Sequence, residues 1–383
     1  MLPSTLLSVV IASLAALEVH GHISIWHPSM YGFNVTDKTF PYDNRPVAPL
    51  TNYTFDQWWF HGHLDYPPNP GDIFELPAGK PATTELACNK GLTSYFASSE
   101  GGDVRQGDNP CPSDDGSFPS GAMHTVDFND LKGCALAIAY ESDVTKIKPE
   151  DFTVFSINQT CVWTRFTDFQ VPARMPPCPE GGCHCAWFWI HSQDSGGEQN
   201  YMNGFRCNVT GSTSNVALAK SQLPRRCGAD PDNGKADAVR GNCTYGAKQP
   251  FYWFQAEDNN MFEGTYAPPF YTDLYNFKDG AQDDIFVDSY AEIPTPSANQ
   301  TVIPTPLEPS STSAATTTSS TVPPSAPTSQ PTDQAPFGTP PGRCSVCKLR
   351  RANGTAVRKR SLFGFELHAH SKKGRSFSLW HPF

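Results

Sequence analysis

Ala186-Trp187-Phe188-Trp189-Ile190-His191 is a short run of aromatic and β-branched residues. A run of that length and composition reads as a strand. Met202 to Val209 repeats the pattern, and Gly196-Gly197 between the two can turn the chain back on itself. Three similar stretches lie upstream, at Cys134 to Tyr140, Phe152 to Ile157 and Cys161 to Val171. Helical periodicity is scarce between them. Strands without intervening helices predict an all-β fold, an antiparallel β-sandwich, rather than βαβ units. The connections 41–90 and 91–122 are long for a compact domain, so disulfides from Cys88 and Cys111 and short helices are expected to hold them.

Residues 1–21 read as a secretory signal, although their front end has no Lys or Arg. Leu6 to Leu17 is apolar but too short to span a bilayer, and Val19 and Gly21 sit three and one places before the expected cut. The chain has 12 Cys, ten of them between Cys88 and Cys243. With a signal, these predict an oxidising, extracellular setting and structural disulfides whose connectivity the spacing leaves open. Sequons at Asn34, Asn52, Asn158, Asn208, Asn242, Asn299 and Asn353 agree with a secreted glycoprotein.

A globular unit is expected over 22–290. From 291 to 342, 31 of 52 residues are Pro, Ser or Thr, which predicts a disordered, O-glycosylated linker. Residues 343–383 form a basic tail with ten Lys or Arg against one Glu, and Cys344 and Cys347 are expected to form a local disulfide. The chain's net charge is −10, so the acidity lies in the body. An acidic body disfavours nucleic acid, whose phosphates need Lys and Arg, but does not repel neutral carbohydrate. No mature segment is long and apolar enough to be a spanning helix, so no membrane association is expected.

Cutting after Gly21 makes His22 the first residue. Its free α-amine and its imidazole can then chelate one metal ion, which an internal His cannot do. Chance would place a His there about 3% of the time, since 11 of 383 residues are His. The site therefore needs a second His and an axial group. His124, in Gly121-Ala122-Met123-His124-Thr125-Val126-Asp127-Phe128, is one candidate. His61 and His63, after Trp58-Trp59-Phe60, are the alternative, with His63 in reserve; either could instead be an ordinary satisfied His. His27 is expected to point elsewhere. Further on, Gln199 and Tyr201 fall on one face of a strand, with His191 ending the strand before. Tyr201 can be a weak oxygen ligand, and Gln199 and His191 can orient a bound oxygen species. Without His22, the same residues would be an ordinary hairpin. Three nitrogens in a plane with a weak axial oxygen describe copper(II). Cys178, Cys183, His184 and Cys185 superficially suit zinc, but disulfides are the expected fate of those sulfurs.

The opening His22-Ile23-Ser24-Ile25-Trp26-His27-Pro28-Ser29-Met30-Tyr31-Gly32, the Ala122-Met123-His124 segment and Gln199-Asn200-Tyr201 together resemble auxiliary activity family 14 of the fungal lytic polysaccharide monooxygenases, over roughly 22–290. The resemblance implies an immunoglobulin-like β-sandwich with long disulfide-braced loops and one exposed copper ion. The ligands it implies are His22, His124 and an axial Tyr201, with Gln199 and His191 carried over from a related cellulose-active group. It further implies O2 or H2O2 as co-substrate, an external electron donor, and xylan on cellulose as the polysaccharide partner, cleaved oxidatively by a secreted protein expected to act as a monomer. Tyr53, Trp58, Trp59 and Phe60 are candidates to stack on sugars, though core packing is their commoner role. The main rival is a secreted copper-binding protein with the same histidine brace and no polysaccharide oxidation. A carbohydrate-binding sandwich relying on aromatics, or a glycoside hydrolase, fits less well; no carboxylate spacing singles out an acid/base pair.

Overall fold

The computed structural model describes residues 22–33, 45–96, 107–113, 115–192 and 199–307. The chain divides into two units, Met1–Ser313 and Ala314–Phe383, and every described residue belongs to the first. The strands in chain order are β1 (Ser24–Trp26), β2 (Phe74–Pro77), β3 (Pro81–Ala87), β4 (Cys134–Ala139), β5 (Thr153–Asn158), β6 (Phe166–Gln170), β7 (Cys183–Ile190), β8 (Asn200–Thr210) and β9 (Gly280–Ala281). One α-helical turn, α1 (Phe55–Trp58), and short 3-10 turns occupy the connections.

The Trp-rich run is β7, near the middle of a six-stranded sheet ordered β2-β8-β7-β4-β5-β9. It pairs antiparallel with β8, setting Trp189 opposite Tyr201 and Ile190 opposite Asn200. Every residue of β7 is buried because both sheet faces are covered. Trp187, Trp189, Tyr201 and Phe205 enter a first core shared with Ile25, Leu86 and Phe169 of the three-stranded sheet β1-β3-β6. The alternate residues Ala186, Phe188, Ile190 and Met202 enter a second core with Trp58, Trp59, Phe60, Tyr252 and Trp253. A strand buried on both faces has no reason to alternate apolar with polar, which accounts for its continuous apolar sequence.

Two expectations are corrected. The large sheet is mixed, not antiparallel, because β2 pairs parallel with β8, from Phe74 opposite Cys207 to Pro77 opposite Thr210. Parallel pairing needs a long crossover, and the chain between β2 and β8 supplies it. Trp58, Trp59 and Phe60 are not a sugar-stacking surface: each is at most 3% exposed, held within the second core by neighbouring rings.

The ten Cys of the globular part pair as Cys88–Cys111, Cys134–Cys161, Cys178–Cys183, Cys185–Cys207 and Cys227–Cys243. The first braces the long connection ahead of β4. The third and fourth remove the superficial zinc set, and His184 between them donates from Nδ1 to the Glu141 carbonyl (2.8 Å) while Nε2 accepts from Tyr31 (2.9 Å). The Pro/Ser/Thr-rich stretch begins at Ala291, yet its first residues stay on the domain. Ser297 N–H donates to the Gly241 carbonyl, Leu307 N–H to that of Ser289, and Pro304 is buried. Signal, basic tail and Cys344-to-Cys347 fall outside the described residues. Among the described residues no helix is long and apolar enough to cross a membrane.

Gly204 in β8 ties the second core to the sheet. A Cβ there would lie 2.1 Å from Phe60 Cδ1, and the Gly204 carbonyl accepts from Tyr31 N–H at 2.9 Å. Phe60 is fully buried, so it cannot step aside. Gly204→Ala is therefore expected to destabilise the fold by about 1–3 kcal/mol through overpacking. A melting temperature equal to the parent's would contradict it.

Candidate metal centre

His22 is the residue immediately before the buried Ile23 that leads into β1. His124 arrives from a separate loop. The 3-10 turn Gly121–Met123 is anchored by fully buried Met123, and His124 follows it with φ 46° and ψ 46°. That left-handed conformation is uncommon for a residue with a side chain and persists only where the surroundings hold it. Here they do: Thr125 Oγ1 donates to the Asp127 carbonyl at 2.5 Å, and buried Asp130 accepts from Val126 N–H at 3.1 Å.

The result is a direct meeting of Nδ1 of His22 with Nε2 of His124. Their ring centroids are 4.5 Å apart with planes 10° from parallel. With the two nitrogens in contact, the rings meet edge to edge and nearly coplanar, not face to face. Both lone pairs thus point at one locus, and Nδ1 is the His22 nitrogen from which the same residue's α-amine can close a chelate ring.

Tyr201 lies beside this pair, its ring centroid 6.0 Å from that of His22. Complete burial pushes its pKa far above the ordinary value, so it stays a neutral phenol. Its hydroxyl donates to Gln199 Oε1 at 2.9 Å, which leaves the oxygen lone pairs free to act as a weak neutral donor. The same-face placement of Gln199 and Tyr201 expected from strand geometry is what the hydrogen bond requires.

His191 ends one residue past β7, nearly parallel to His124 at 4.3 Å between centroids. Its Nδ1–H donates to the Ser192 carbonyl at 2.7 Å, which fixes the lone pair on Nε2. Nε2 is buried, with the Gln199 side chain as a polar neighbour of the ring. Burial, then the neighbouring His124, lower its pKa from the usual 6.5 to about 4, so the ring is neutral near pH 7. The Gly196-Gly197 turn lies outside the described residues.

Trp189 was legible only as a strand residue. It stacks on Tyr201 at 4.7 Å and lies 6.1 Å from His124, forming the floor of the site. Its signal was the period of two that puts 187, 189 and 191 on one face of β7. Other histidines sit elsewhere. His61 and His63 are buried and stacked on each other at 5.6 Å, with His61 Nδ1 against the Met202 carbonyl at 3.3 Å. His27 accepts from Ser29 and packs edge-on against Phe74 at 5.0 Å.

The donor set fits copper. All ten Cys of the globular part are in disulfides, so no thiolate competes there. Among the described residues no three His, Cys, Asp or Glu side chains converge on one point. The imidazoles of His22 and His124 do meet, and two neutral imidazole nitrogens suit copper. Surface cavities of about 980, 560 and 770 Å³ involve none of these residues. His22 and His124 are half-exposed, outside any of these deep clefts.

The sequence profile described as Lytic polysaccharide monooxygenase AA14 matches residues 4–375. The chain is 72% identical over 308 residues to an AA14 family lytic polysaccharide monooxygenase B of Pycnoporus cinnabarinus, covering 79% of this chain and 81% of that one. It is 57% identical over 289 residues to an AA14 family lytic polysaccharide monooxygenase A of Trametes coccinea, covering 75% and 66%. A solved chain titled CvAA9A aligns at 14% identity and a TM-score of 0.23, covering 52% of this chain and 75% of that one.

Proposed function

The chain belongs to the lytic polysaccharide monooxygenase AA14 family, copper-dependent enzymes that cleave polysaccharides oxidatively; from that premise we propose that it acts, secreted and monomeric, on xylan associated with cellulose through a site built on His22, His124 and Tyr201. The observation that carries the site is the convergence of His22 Nδ1 and His124 Nε2. The α-amine and Nδ1 of His22 and Nε2 of His124 would supply three nitrogens to a copper ion, and the neutral Tyr201 hydroxyl a weak oxygen. When bound, copper supplies the redox step by which O2 or H2O2, with electrons from an external donor, oxidises a carbon at the glycosidic link.

The remaining roles belong to the chain. Gln199 accepts the Tyr201 hydroxyl hydrogen bond and so fixes the orientation of the phenol oxygen, whose lone pairs would be available to copper. His191, held by the Ser192 carbonyl and stacked on His124, stays neutral near pH 7 and would serve there as a polar orienting group, not as a base. Trp189 beneath Tyr201 excludes water from its ring face. A half-exposed site suits a polymer that cannot enter a cleft.

The two sheets facing each other across the first core support an immunoglobulin-like sandwich. Five disulfides support secretion, with the cut proposed after Gly21. The domain plan is a signal at 1–21, a catalytic unit at 22–290, a linker at 291–342 whose first part packs on the domain, and a basic tail at 343–383. Family membership favours the enzyme over a copper-binding protein without oxidative activity.

Mass spectrometry of soluble products tests the activity. Aldonic or 4-keto sugars are expected from xylan-coated cellulose, in the presence of reductant and not in its absence. Oxidised cello-oligosaccharides alone, with xylan untouched, would overturn the substrate assignment.

A further inference from the structure

The loop that carries His124 also carries two exposed aromatic rings that no role above uses. Phe118 is 45% exposed and Phe128 48%. Both rings stand edge-on to one indole, that of Trp163, at 4.6 Å and 74° for Phe118 and 5.3 Å and 88° for Phe128. Trp163 is half-buried and packs on the first core. Two exposed phenyl groups are thus held in place by an anchored third ring, not left as free side chains. Val126, two residues before Phe128, is 63% exposed.

Surface phenylalanines cost solubility, and clusters of them mark contact surfaces. Position says which contact. Phe128 is four residues from His124 and Phe118 six, so their Cα atoms lie within about 14 and 21 Å of it even for an extended chain. The Gly121–Met123 turn shortens the second span. A polymer whose link lies at His22 and His124 therefore reaches this patch within a few sugar rings. Charge narrows the class further. Among the described residues of this loop the exposed carboxylates are Asp115 and Asp127, Lys132 pairs with Asp130 at 3.6 Å, and buried Arg165, two residues past Trp163, pairs with Glu85 at 2.7 Å. A polyanionic chain is repelled by those exposed carboxylates, and a neutral one is not.

We infer that Phe118 and Phe128, set by Trp163, form a stacking platform for the apolar faces of a neutral β-linked polysaccharide, holding the chain so that the scissile link lies over the His22–His124 pair. This rests on the polysaccharide activity stated above, but it concerns binding and is tested without the metal. Aromatic faces give contact at low entropic cost because the rings are already ordered.

The experiment measures depletion of full-length, metal-free protein onto insoluble xylan-coated cellulose. Phe118→Ala/Phe128→Ala is expected to be retained at least about tenfold more weakly than the parent. Phe118→Leu/Phe128→Leu keeps the apolar bulk while removing the π-face, and is expected to lose most of the same retention. Copper(II) affinity and the electron paramagnetic resonance spectrum should be unchanged in both, and an altered spectrum in the alanine pair would leave the decision to the leucine pair. Retention equal to the parent's in the leucine pair overturns the platform. So does equally strong binding of the parent to polygalacturonate, or a parent dimer in light scattering that the double variant abolishes. If the parent is retained through these rings but yields no oxidised sugar, the platform stands and the enzymatic reading fails.

Discussion

Protein secreted with His22 as its first residue is expected to bind copper(II) tightly, and protein keeping even one extra residue ahead of His22 to bind it more weakly by on the order of 10²–10⁴-fold. The reason is chelation. In the mature chain the amine and Nδ1 share one residue, so the second bond forms at very high effective concentration. An added residue converts that amine into an amide, which neither carries a free lone pair nor readily loses its proton. Among the described residues two imidazoles meet at the site, so without the amine a copper ion would keep few nitrogen donors. Proton competition gives a second signature. A free α-amine has a pKa near 8, so copper affinity should fall as pH falls, and more steeply for the mature protein than for the extended one. Isothermal titration of the two forms, with the terminus of each verified by peptide mapping, reads both effects. Equal affinities would remove the amine from the ligand set.

Much of the scaffold was legible because its strands are dense in β-branched and aromatic residues. β4, β5, β7 and β8 each fall on a stretch recognisable by composition. The weaker strands were not. β3 is Pro81-Ala82-Thr83-Thr84-Glu85-Leu86-Ala87, whose residues suit a loop equally well, and β2 owes its existence to pairing with β8 more than 130 residues away. Pairing between distant segments leaves no local mark, so a parallel edge strand passes unseen. The Trp58-Trp59-Phe60 run shows a related limit. Composition says that such rings will be covered, but not whether by the protein or by a ligand. Within the site, the same-face pairing of Gln199 and Tyr201 follows from strand geometry alone. Trp189 beneath Tyr201 and the left-handed backbone at His124 depend on how separate loops pack, and no spacing rule contains that information.

The left-handed backbone decides how the second ligand should be tested. His124→Ala is expected to weaken copper binding by more than about a hundredfold, since loss of a supporting group alone can cost up to that much. Alanine also pays a steric penalty at φ 46°, so part of any effect could be a displaced loop. Asparagine tolerates this conformation better and offers no imidazole, so His124→Asn should keep the loop and lose the metal. Thermal shift separates the two contributions. For the parent, copper at about a thousand times its Kd adds roughly 4 kcal/mol of stability, a rise in Tm on the order of 5–10 °C. In both His124 variants that rise should fall to about a third of the parent's or less. The metal-free Tm should drop more for alanine than for asparagine. His63→Ala is the opposing control, because His63 is 3% exposed and stacked on His61. Its loss should lower the metal-free Tm by cavity formation and leave the copper-dependent rise in place. If His63→Ala abolishes that rise and His124→Asn preserves it, the ion is held by the wrong pair of histidines here, and the meeting of His22 with His124 is a packing contact and nothing more.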